Sequence, residues 1–541
     1  MQKRRPPWGK VLLAAIPIAF LGYFFVYPML VILLTGLTQQ GGLDLSVVRD
    51  VLTRRRLLGT AWFTFWQAAL STVATVAIAL PSAFVFARYR FPGRTFFRAA
   101  VTIPFVLPTV VVGTAFLALV GPGGFLGVDL TGTLLVILVA HVFYNYAIVV
   151  RTVGGLWEQL DPRLEEAARL LGASRGRVFR QVTLPLLRPA IVAASSLVFL
   201  FTFTSFGIIL ILGDLRLRTL EVEIWRQTTS FLNLEVAAIL AVLQLVGVAA
   251  ILWTYSRYQL KGAVQQPLRL QGETIKTPST AGERAMVIGS LTVTAALLGL
   301  PLAVLVGRSL RTSDGLGLEA YASLFGSRAS ALFVPPVEAM ANSLLFAIAT
   351  TVIALLVGMC AAAVVAYGRG LLARGFDVGL MLPLGTSAVT IGFGLLLALD
   401  RPVDLRASAW LIPIAHSLVA IPLVVRATVP VMRSVQARLR EAAAVLGASP
   451  ARAWRAVDLP LVSRAAAVGA GFAFAVSLGE FGATSFIVRP DTPTMPIAIF
   501  RLLSQPGASN FSQAMAMSTI LMILTGAAIL LIDRFRVGAE F

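Results

Sequence analysis

Long apolar stretches separated by short polar segments run along almost the whole chain. A bilayer core needs about 20 consecutive, mostly apolar residues per helix, and twelve stretches have this length. In the first half they are Val11–Leu37, Thr60–Ala87, Ala99–Val120, Gly132–Val153, Pro189–Leu212 and Glu235–Tyr255. In the second half they are Ala285–Val306, Ala341–Tyr367, Asp377–Leu399, Ser408–Pro430, Ala465–Val488 and Gln513–Ile532. The pattern predicts an all-α integral membrane protein with about 12 transmembrane helices.

Composition indicates that lipid is the second solvent of this protein. Of its 541 residues, 57% are hydrophobic and only 13% are charged, about half of the charged share of a soluble domain. The first apolar stretch is too long for the core of a cleavable signal, and no small-residue cleavage site follows it. We therefore expect it to be the first transmembrane helix. The single cysteine, Cys360, has no partner for an intrachain disulfide.

The distribution of basic residues predicts the orientation of the chain. With the N-terminus in the cytoplasm, the inward-facing segments hold 31 of the 45 lysines and arginines. Cytoplasmic loops of membrane proteins carry such an excess. The sequence therefore predicts a multi-pass protein with both termini cytoplasmic, and this asymmetry explains the net charge of +20 without a nucleic-acid partner.

An internal repeat divides the chain into two halves. Residues 166–174 return as 441–449, and the same offset of 275 relates the only two histidines, His141 and His416, to each other. Six predicted spans separate equivalent points, so both copies have the same orientation, which indicates a parallel duplication about an axis along the membrane normal. We predict a first half at residues 1–256, a polar cytoplasmic linker at 257–284 and a second half at 285–541.

The longest inner loop of each half has the pattern of a helix–turn–helix. Asp161 is a predicted N-cap with Pro162 at the first helical position, and Gly172 ends that helix. Ser174 then caps a second short helix, which Pro185 is expected to stop. The second half repeats this plan at Gly447, Ser449, Pro450 and Pro460. A loop that only shields the end of the bundle is one interpretation, but the repetition favours a docking element for a two-fold-symmetric partner.

The segment Glu-Ala-Ala-x-x-x-Gly, followed by a proline after the short helix, resembles the signature loop of ATP-binding-cassette (ABC) importer permeases. In that family the short helix is the coupling helix, which inserts into a groove on the ATPase subunit. The resemblance implies a type I permease fold, built from two parallel six-helix repeats, and inward transport. It also implies these ATPase contacts: Glu166, Ala167, Gly172, Arg177 and Phe179, with Glu441, Ala442, Gly447, Arg452 and Trp454.

The fused two-half form is similar to the permeases for thiamine and for ferric iron. The segments that carry this resemblance are Phe65–Ala68, Arg90–Arg94, His141–Asn145 and Ser477–Gly482. It implies transport of a small solute, ferric iron or thiamine-like, from a binding protein into the cytoplasm. The implied partners are two copies of an ABC ATPase subunit that hold ATP-Mg, an extracytoplasmic solute-binding protein, and the inner or plasma membrane of a prokaryotic cell.

The two histidines are candidate groups of the solute pathway. His141 lies about ten residues, or roughly 15 Å along a helix, from the predicted cytoplasmic end at Arg151. This places it near the middle of the membrane, where ionisable residues are rare and often functional. His416 is expected at the equivalent depth. The alternative is a neutral imidazole that forms hydrogen bonds between helices.

Three further polar residues are candidates for the same pathway. Glu480, whose repeat partner is Ser205, lies in the outer part of its span, where a carboxylate could attract a cation. Tyr144 and Asn145 could supply stacking and hydrogen bonds. The alternative for all three is packing between helices.

The sequence lacks the motifs of an enzyme active site. A phosphate-binding loop needs a lysine after its glycine-rich turn, and none of the four lysines has this setting. There is no paired-histidine metal motif and no nucleophile elbow. We therefore expect no catalytic residues, no metal and no cofactor in this chain. Two alternatives remain open: a secondary active transporter with a duplicated six-helix repeat, and a membrane enzyme or assembly scaffold.

Overall fold

The computed structural model describes residues 8–39, 42–43, 46–261, 274–312, 315–326, 332–368, 370–401 and 403–537. Helices dominate these residues. The first half contains α1 (Trp8–Leu21), α2 (Tyr27–Leu37), α3 (Ser46–Thr53), α4 (Arg55–Arg88), α5 (Arg94–Val106), α6 (Thr109–Val120), α7 (Leu134–Gln159), α8 (Pro162–Leu170), α9 (Arg175–Val178), α10 (Leu184–Phe203), α11 (Gly207–Leu212), α12 (Leu220–Thr229) and α13 (Leu234–Lys261).

The second half repeats this order, except that its first span is one helix, α14, where the first half has α1 and α2. It contains α14 (Ala281–Ser309), α15 (Glu319–Ser323), α16 (Pro336–Tyr367), α17 (Leu371–Gly385), α18 (Ala388–Ala398), α19 (Leu411–Ser434), α20 (Ala437–Val445), α21 (Pro450–Ala453), α22 (Leu459–Gly479), α23 (Thr484–Ile487), α24 (Met495–Leu503) and α25 (Ala508–Val537). Three π-helical segments, Gly22–Val26, Phe179–Thr183 and Trp454–Asp458, join neighbouring helices. Two antiparallel pairs of two-residue strands complete the described elements: β1 (Thr38–Gln39) with β2 (Gly42–Leu43), and β3 (Arg311–Thr312) with β4 (Gly315–Leu316).

The prediction of an all-α membrane protein is confirmed. Ten helices within the described ranges are long and apolar enough to cross a bilayer. Two more spans are added if each of two sharply bent helix pairs is counted as one, which gives the twelve expected. The fold is therefore two six-span repeats.

The two bent pairs correct the continuous spans predicted at Ala99–Val120 and Asp377–Leu399. Helices α5 and α6 meet at 103°, and α17 and α18 meet at 98°. In the first pair Leu107 is extended, because the ring of a following proline, Pro108, disfavours helical geometry in the residue before it. In the second pair the Ser387 hydroxyl accepts a hydrogen bond from the Thr390 amide and caps α18.

The fifth span of each half also differs from its prediction. Pro185 and Pro460 do not stop the short helices that precede them. After each short helix the backbone continues through a π-helical segment, into α10 in the first half and into α22 in the second. The Leu184 amide bonds to the Phe179 carbonyl five residues back, and this wider turn accommodates the proline that follows. At the other end, α10 stops at Phe203 and α22 at Gly479, well before the predicted ends at residues 212 and 488.

The first long helix of each half packs against the other half. Helices α1 and α2 contact α16 and α18, while α14 contacts α4 and α6. Polar groups join α14 to the first half: the Tyr146 hydroxyl lies 2.9 Å from that of Thr294, and the Ser82 hydroxyl lies 2.6 Å from that of Ser290. Of the two hydrophobic clusters among the described residues, the larger therefore extends through both halves.

The predicted linker lies partly outside the described residues, which omit 262–273. The residues that follow this gap lie on the first half. The Thr274 hydroxyl donates to the Glu158 carbonyl at 2.6 Å, and Lys276 pairs with Tyr89 through the backbone. The return of the chain into the second half is thus attached to the ends of α4 and α7.

Candidate functional site: docking loops and the axis between the halves

Capping interactions shape the inner loop of the first half as the sequence predicts. An Asp161 carboxylate oxygen accepts the Arg163 amide at 3.0 Å, and the Ser174 hydroxyl accepts the Arg177 amide at 3.4 Å. Between the two helices Gly172 has a φ of 85°, a left-handed conformation that favours glycine. The predicted helix–turn–helix is therefore confirmed.

The second loop has the same construction. The Ser449 hydroxyl accepts the Arg452 amide at 3.4 Å, and Gly447 has a φ of 82°. Both loops end in the π-helical segment that leads into the next membrane helix. The turn chemistry of a few residues thus produces the same loop twice.

Most of the predicted ATPase contacts lie on the surface of these loops. The exposed ones are Glu166, Ala167, Gly172 and Arg177 in the first loop, with Glu441, Ala442, Gly447, Arg452 and Trp454 in the second. Phe179 is half-buried, because its ring packs on Trp157 with the centroids 6.3 Å apart. The two aromatic tips are therefore not equivalent.

Sequence analysis did not identify the most exposed apolar groups of the loops. Leu170 and Leu171 are 90% and 89% exposed, and their repeat partners Val445 and Leu446 are 88% and 87% exposed. Each pair lies immediately before the left-handed glycine, so the turn projects it away from the bundle. We call these four residues the apolar tips. Their repetition at the offset of 275 was the signal that could have identified them.

A polar contact fastens each loop to its membrane helix, but the two halves use opposite charges. In the first half Glu165 accepts a hydrogen bond from the Thr183 hydroxyl at 3.0 Å and lies 3.5 Å from the guanidinium of Arg88. These three residues form the first loop clamp. The positions equivalent to Glu165 and Thr183 carry Arg440 and Asp458.

The second loop clamp consists of Arg440, Asp458 and Tyr367. Arg440 donates to both carboxylate oxygens of Asp458, and its Nη2 donates to the Tyr367 hydroxyl at 3.3 Å. Tyr367 is the last residue of α16, as Arg88 is the last residue of α4. Hydrogen bonding to the fully buried Asp458 raises the pKa of Arg440. Each half has this contact at equivalent positions, but with different residue types. A search for a repeated sequence motif therefore could not find it.

Both candidate histidines are buried within their own half. The Nδ1 atom of His141 lies 3.0 Å from the Ser71 hydroxyl, and its Nε2 atom lies 2.9 Å from that of Ser205. The Nδ1 atom of His416 lies 2.8 Å from the Ser477 hydroxyl. Each imidazole therefore joins helices of one half through hydrogen bonds at both ring nitrogens.

The Nε2 atoms of the two histidines reach the same repeat position. His141 bonds to Ser205, while His416 lies 3.1 Å from a carboxylate oxygen of Glu480 and 2.8 Å from the Thr484 hydroxyl. Ser205 and Glu480 are repeat partners, and each lies in the break that ends the fifth span. The histidines thus hold the backbone where these two spans stop.

Glu480 also stabilises its break through the backbone. One carboxylate oxygen accepts the Ala483 amide at 2.7 Å, and the other accepts the Thr484 amide at 3.0 Å. These two amides lie at the start of α23, where backbone donors have no partner within the helix, so the carboxylate satisfies them. The carboxylate is therefore occupied on both oxygens by groups of its own half.

Tyr144 and Asn145 lie close to His141 on α7. The Tyr144 ring packs against Phe105 with the centroids 6.0 Å apart, and the Asn145 amide donates to the His141 carbonyl at 3.0 Å. Both contacts are within the first half. The pathway role of the five polar candidates remains a prediction.

Four aromatic side chains meet where the two halves face each other. Phe206 and Phe481 stack with centroids 5.2 Å apart, and Trp225 packs edge-on against Phe500 at 5.9 Å. The Phe481 ring also contacts Phe500 at 5.6 Å. In both the first and second contacts the two rings are repeat partners at the offset of 275. We call these four residues the aromatic quartet.

Comparison with known proteins identifies the family. The model of binding-protein-dependent transport system inner membrane components matches residues 77–258. The sulfate transport system permease protein CysT of Salmonella typhimurium is 36% identical over 204 residues, which are 74% of its length and 36% of this chain. The chain belongs to the permease family of ABC importers.

Two fused relatives match the permease over most of its length. The probable ABC transporter permease protein y4fN of Sinorhizobium fredii is 26% identical, covering 95% of this chain and 94% of its own. The thiamine transport system permease protein ThiP of Brucella abortus is 28% identical, covering 91% and 90%. The permease is thus a multi-pass transport subunit of the two-half form. Family membership sets aside the alternatives of a secondary transporter and of a membrane enzyme or scaffold.

The permease buries two acids that sequence analysis did not place in the bundle. Glu221 and Glu223 of α12 are almost fully buried, although they lie between the predicted spans that end at Leu212 and begin at Glu235. Glu223 lies 2.6 Å from the Arg218 guanidinium, and Glu221 accepts a hydrogen bond from Gln244. Both partners belong to the first half, and their repeat positions in the second half carry no acid.

We predict that Glu480→Gln lowers the thermal stability of the permease. An amide has one acceptor oxygen, so its NH2 group would face one of the two backbone amides that Glu480 now binds. A buried donor left without an acceptor costs about 1–3 kcal/mol. Thermal unfolding in detergent tests this, with the exposed Glu338→Gln at the start of α16 as the matched control. Lower solute uptake at unchanged stability would instead favour the pathway role.

Proposed function

We propose that this chain couples ATP hydrolysis on separate cassette subunits to the inward movement of a small solute. The observation that carries the proposal is the pair of capped loops with matching apolar tips. Leucine and valine side chains that are exposed to this extent are typical of a surface that binds another protein. Two such surfaces related by the internal repeat fit a partner that is itself present twice, which supports two copies of an ABC ATPase subunit.

The orientation of the chain in this proposal follows from its basic loops and from the partner. ATP is cytoplasmic, so both docking loops face the cytoplasm together with the N- and C-termini, as the positive-inside rule predicts. The opposite face then receives the solute from an extracytoplasmic binding protein. ATP-Mg is held by the cassette subunits, and this chain supplies no catalytic residue and no metal ligand.

For the solute we propose a thiamine-like molecule. The support is the match to a thiamine permease over nine-tenths of both chains, whereas the match to a sulfate permease covers about a third of this chain. Ferric iron, which the sequence motifs also suggested, stays a second prediction. Uptake of labelled thiamine, ferric iron and sulfate in a strain that lacks the transporter would decide between them. Uptake of iron or sulfate, but not of thiamine, on restoring the transporter would overturn the assignment.

We predict that the purified permease does not hydrolyse ATP by itself. Its sequence contains no phosphate-binding loop, so hydrolysis requires the cassette subunit encoded elsewhere. The measurement is phosphate release by the chain alone, by the cassette subunit alone and by the complex in liposomes. Hydrolysis by the chain alone, at a rate that the complex does not exceed, would contradict the proposed division of labour.

A further inference from the structure

A cleft of about 360 Å³ lies between α14, the first helix of the second half, and the loop that follows α6 in the first half. Four of its lining residues belong to α14: Leu300, Ala303, Val304 and Gly307. Their spacing is that of a single helix face, so they form an apolar stripe along α14. The first half contributes the Phe125 ring. Both halves therefore supply walls to this cavity, which we call the α14 cleft.

The loop that carries Phe125 is fixed in position by hydrogen bonds. The Phe125 amide donates to the Ala118 carbonyl of α6 at 3.0 Å. From the other side, the Arg308 guanidinium of α14 donates to the Gly123 carbonyl. Phe125 is nevertheless 61% exposed, and its ring lines the cleft. The first half thus presents an ordered aromatic wall to the molecule that fills the cleft.

The α14 cleft runs from the interior of the bilayer toward its surface, on the side opposite the docking loops. Helix α14 begins soon after Thr274, which is bonded to the end of α7 beside the first loop, so the Ser309 end of the helix lies on the far side. At 1.5 Å per residue, Leu300 lies about 14 Å from Ser309, roughly half the thickness of the hydrocarbon core. Leu300 is therefore at the depth of acyl chains, while Arg308 and Arg311 are at the depth of lipid phosphates.

The end of the cleft near the membrane surface is basic. Arg308 and Arg311 line it, and neither guanidinium forms an ion pair with an acid of the described residues. A phosphate group offers both a negative charge and acceptor oxygens that match the planar donors of a guanidinium. Apolar walls within the bilayer and guanidinium groups at its surface match a molecule that has an anionic head and an apolar tail.

The internal repeat does not reproduce the basic end of the cleft. At the offset of 275 the positions of Arg308 and Arg311 correspond to Leu33 and Gly36 of α2. Helix α2 packs on α18 as α14 packs on α6, so the two sets of positions are structurally equivalent. The equivalent interface has neither guanidinium group at these positions, and we expect one ligand for each chain.

We propose that the α14 cleft binds one anionic phospholipid, with its phosphate on Arg308 and Arg311 and an acyl chain along the apolar stripe of α14. Because the walls belong to both halves, the bound lipid joins the halves on the side opposite the docking loops. Recognition uses the charge of the head and the apolar tail together, so a zwitterionic lipid and free phosphate bind less tightly. Lipid binding at this place does not require the transport function proposed above.

The first test is lipid binding by the purified full-length permease. The delipidated chain, in a neutral detergent, is titrated with phosphatidylglycerol, with phosphatidylcholine of the same acyl chains and with inorganic phosphate. Native mass spectrometry and the thermal transition are the measurements. We expect one phosphatidylglycerol per chain, bound about tenfold more tightly than phosphatidylcholine, and no saturable binding of inorganic phosphate in this range. Equal binding of the two lipids, or equally tight binding of inorganic phosphate, would overturn the proposal.

Two kinds of variant test whether the lipid binds in this cleft. Arg308→Gln with Arg311→Gln removes the positive charges, and the affinity for phosphatidylglycerol should fall about tenfold, to the level of phosphatidylcholine. Gly307→Leu keeps both arginines but fills the groove. A Cβ atom at this glycine has nothing within 4 Å, so the new side chain fits without a clash. The same loss of affinity is expected for this variant.

Arg49→Gln and Gly299→Leu are the matched controls. Arg49 is an exposed arginine of α3 on the same side of the bundle, and Gly299 is a glycine of α14 with equally open surroundings that does not line the cleft. Both controls should bind phosphatidylglycerol with the affinity of the unchanged chain. If the double arginine variant does not fold, because it loses the bond to Gly123, Gly307→Leu decides the question. Unchanged affinity in Gly307→Leu, or in a folded double arginine variant, would show that the lipid does not occupy the cleft.

Discussion

Aspartate at both residues of one apolar tip should abolish ATP-driven uptake. The expected variants are Leu170→Asp with Leu171→Asp in the first loop, and Val445→Asp with Leu446→Asp in the second. Full burial of one leucine side chain contributes about 1.5–3 kcal/mol to binding, and an unpaired carboxylate in an apolar groove costs on the order of several kcal/mol more. The combined free-energy cost of two substitutions on one tip therefore exceeds the binding free energy of a typical subunit contact. Uptake by cells and co-purification of the cassette subunit are the measurements.

The permease itself should remain folded in these variants. The tips are nearly as exposed as side chains can be, so their replacement removes no contact within the chain. The matched control is Leu215→Asp, an exposed leucine in the segment that follows the first quartet phenylalanine. Phe179→Asp is a less direct test, since it also breaks the packing on Trp157. Normal uptake and normal co-purification in both tip variants would rule out the docking role.

Reversing the charge of the second loop clamp should also stop coupling, and transplanting the first clamp should restore it. Arg440→Glu places a carboxylate against Asp458, which is fully buried and would lose its cation. Loss of a partner from a buried ion pair costs about 3–5 kcal/mol, and the low end is expected here because Arg440 is partly exposed. We expect α20 to detach and uptake to fall to background, while the membrane bundle keeps its thermal transition.

The restoring variant copies the first half. Arg440→Glu, Asp458→Thr and Tyr367→Arg together recreate the set Glu165, Thr183 and Arg88 at the equivalent positions. Uptake by this triple variant should recover most of the activity that Arg440→Glu loses. The same background level in both would show that the clamp is not what orders the loop. Asp458→Thr alone is a further control. It removes the acid without reversing the charge at Arg440, so it shows how much uptake is lost through the missing carboxylate alone.

The parts of this protein that could be predicted from sequence depend on short-range interactions. Each membrane span can be recognised from about 20 consecutive, mostly apolar residues, because all of them lie in the hydrocarbon core of the bilayer. The helix–turn–helix of the first loop was predicted correctly from Asp161, Gly172 and Ser174, and that of the second from Gly447 and Ser449, since capping acts over three or four residues. The repeat was visible because both copies kept these caps at one offset.

Short-range rules failed where the surroundings decide what a residue does. Pro185 and Pro460 stop a helix in water, but here a π-helical turn accommodates each ring, so the span continues from the loop into the bundle. Sequence reasoning also did not show that the Glu480 oxygens accept two backbone amides in the break beside Phe481, while the predicted pathway role of this residue stays a prediction. The loop clamp was invisible because Glu165 in one half corresponds to arginine in the other.

What the sequence by itself determined is the set of elements: twelve apolar spans, two repeated halves, and one capped loop in each half. Only the tertiary structure decided which residues those elements bring together. Phe206 and Phe481 are 275 positions apart in the chain and 5.2 Å apart in space, and nothing in either local sequence encodes that distance. Hydropathy and capping are properties of neighbouring residues, whereas contact across a two-fold axis depends on how entire helices pack.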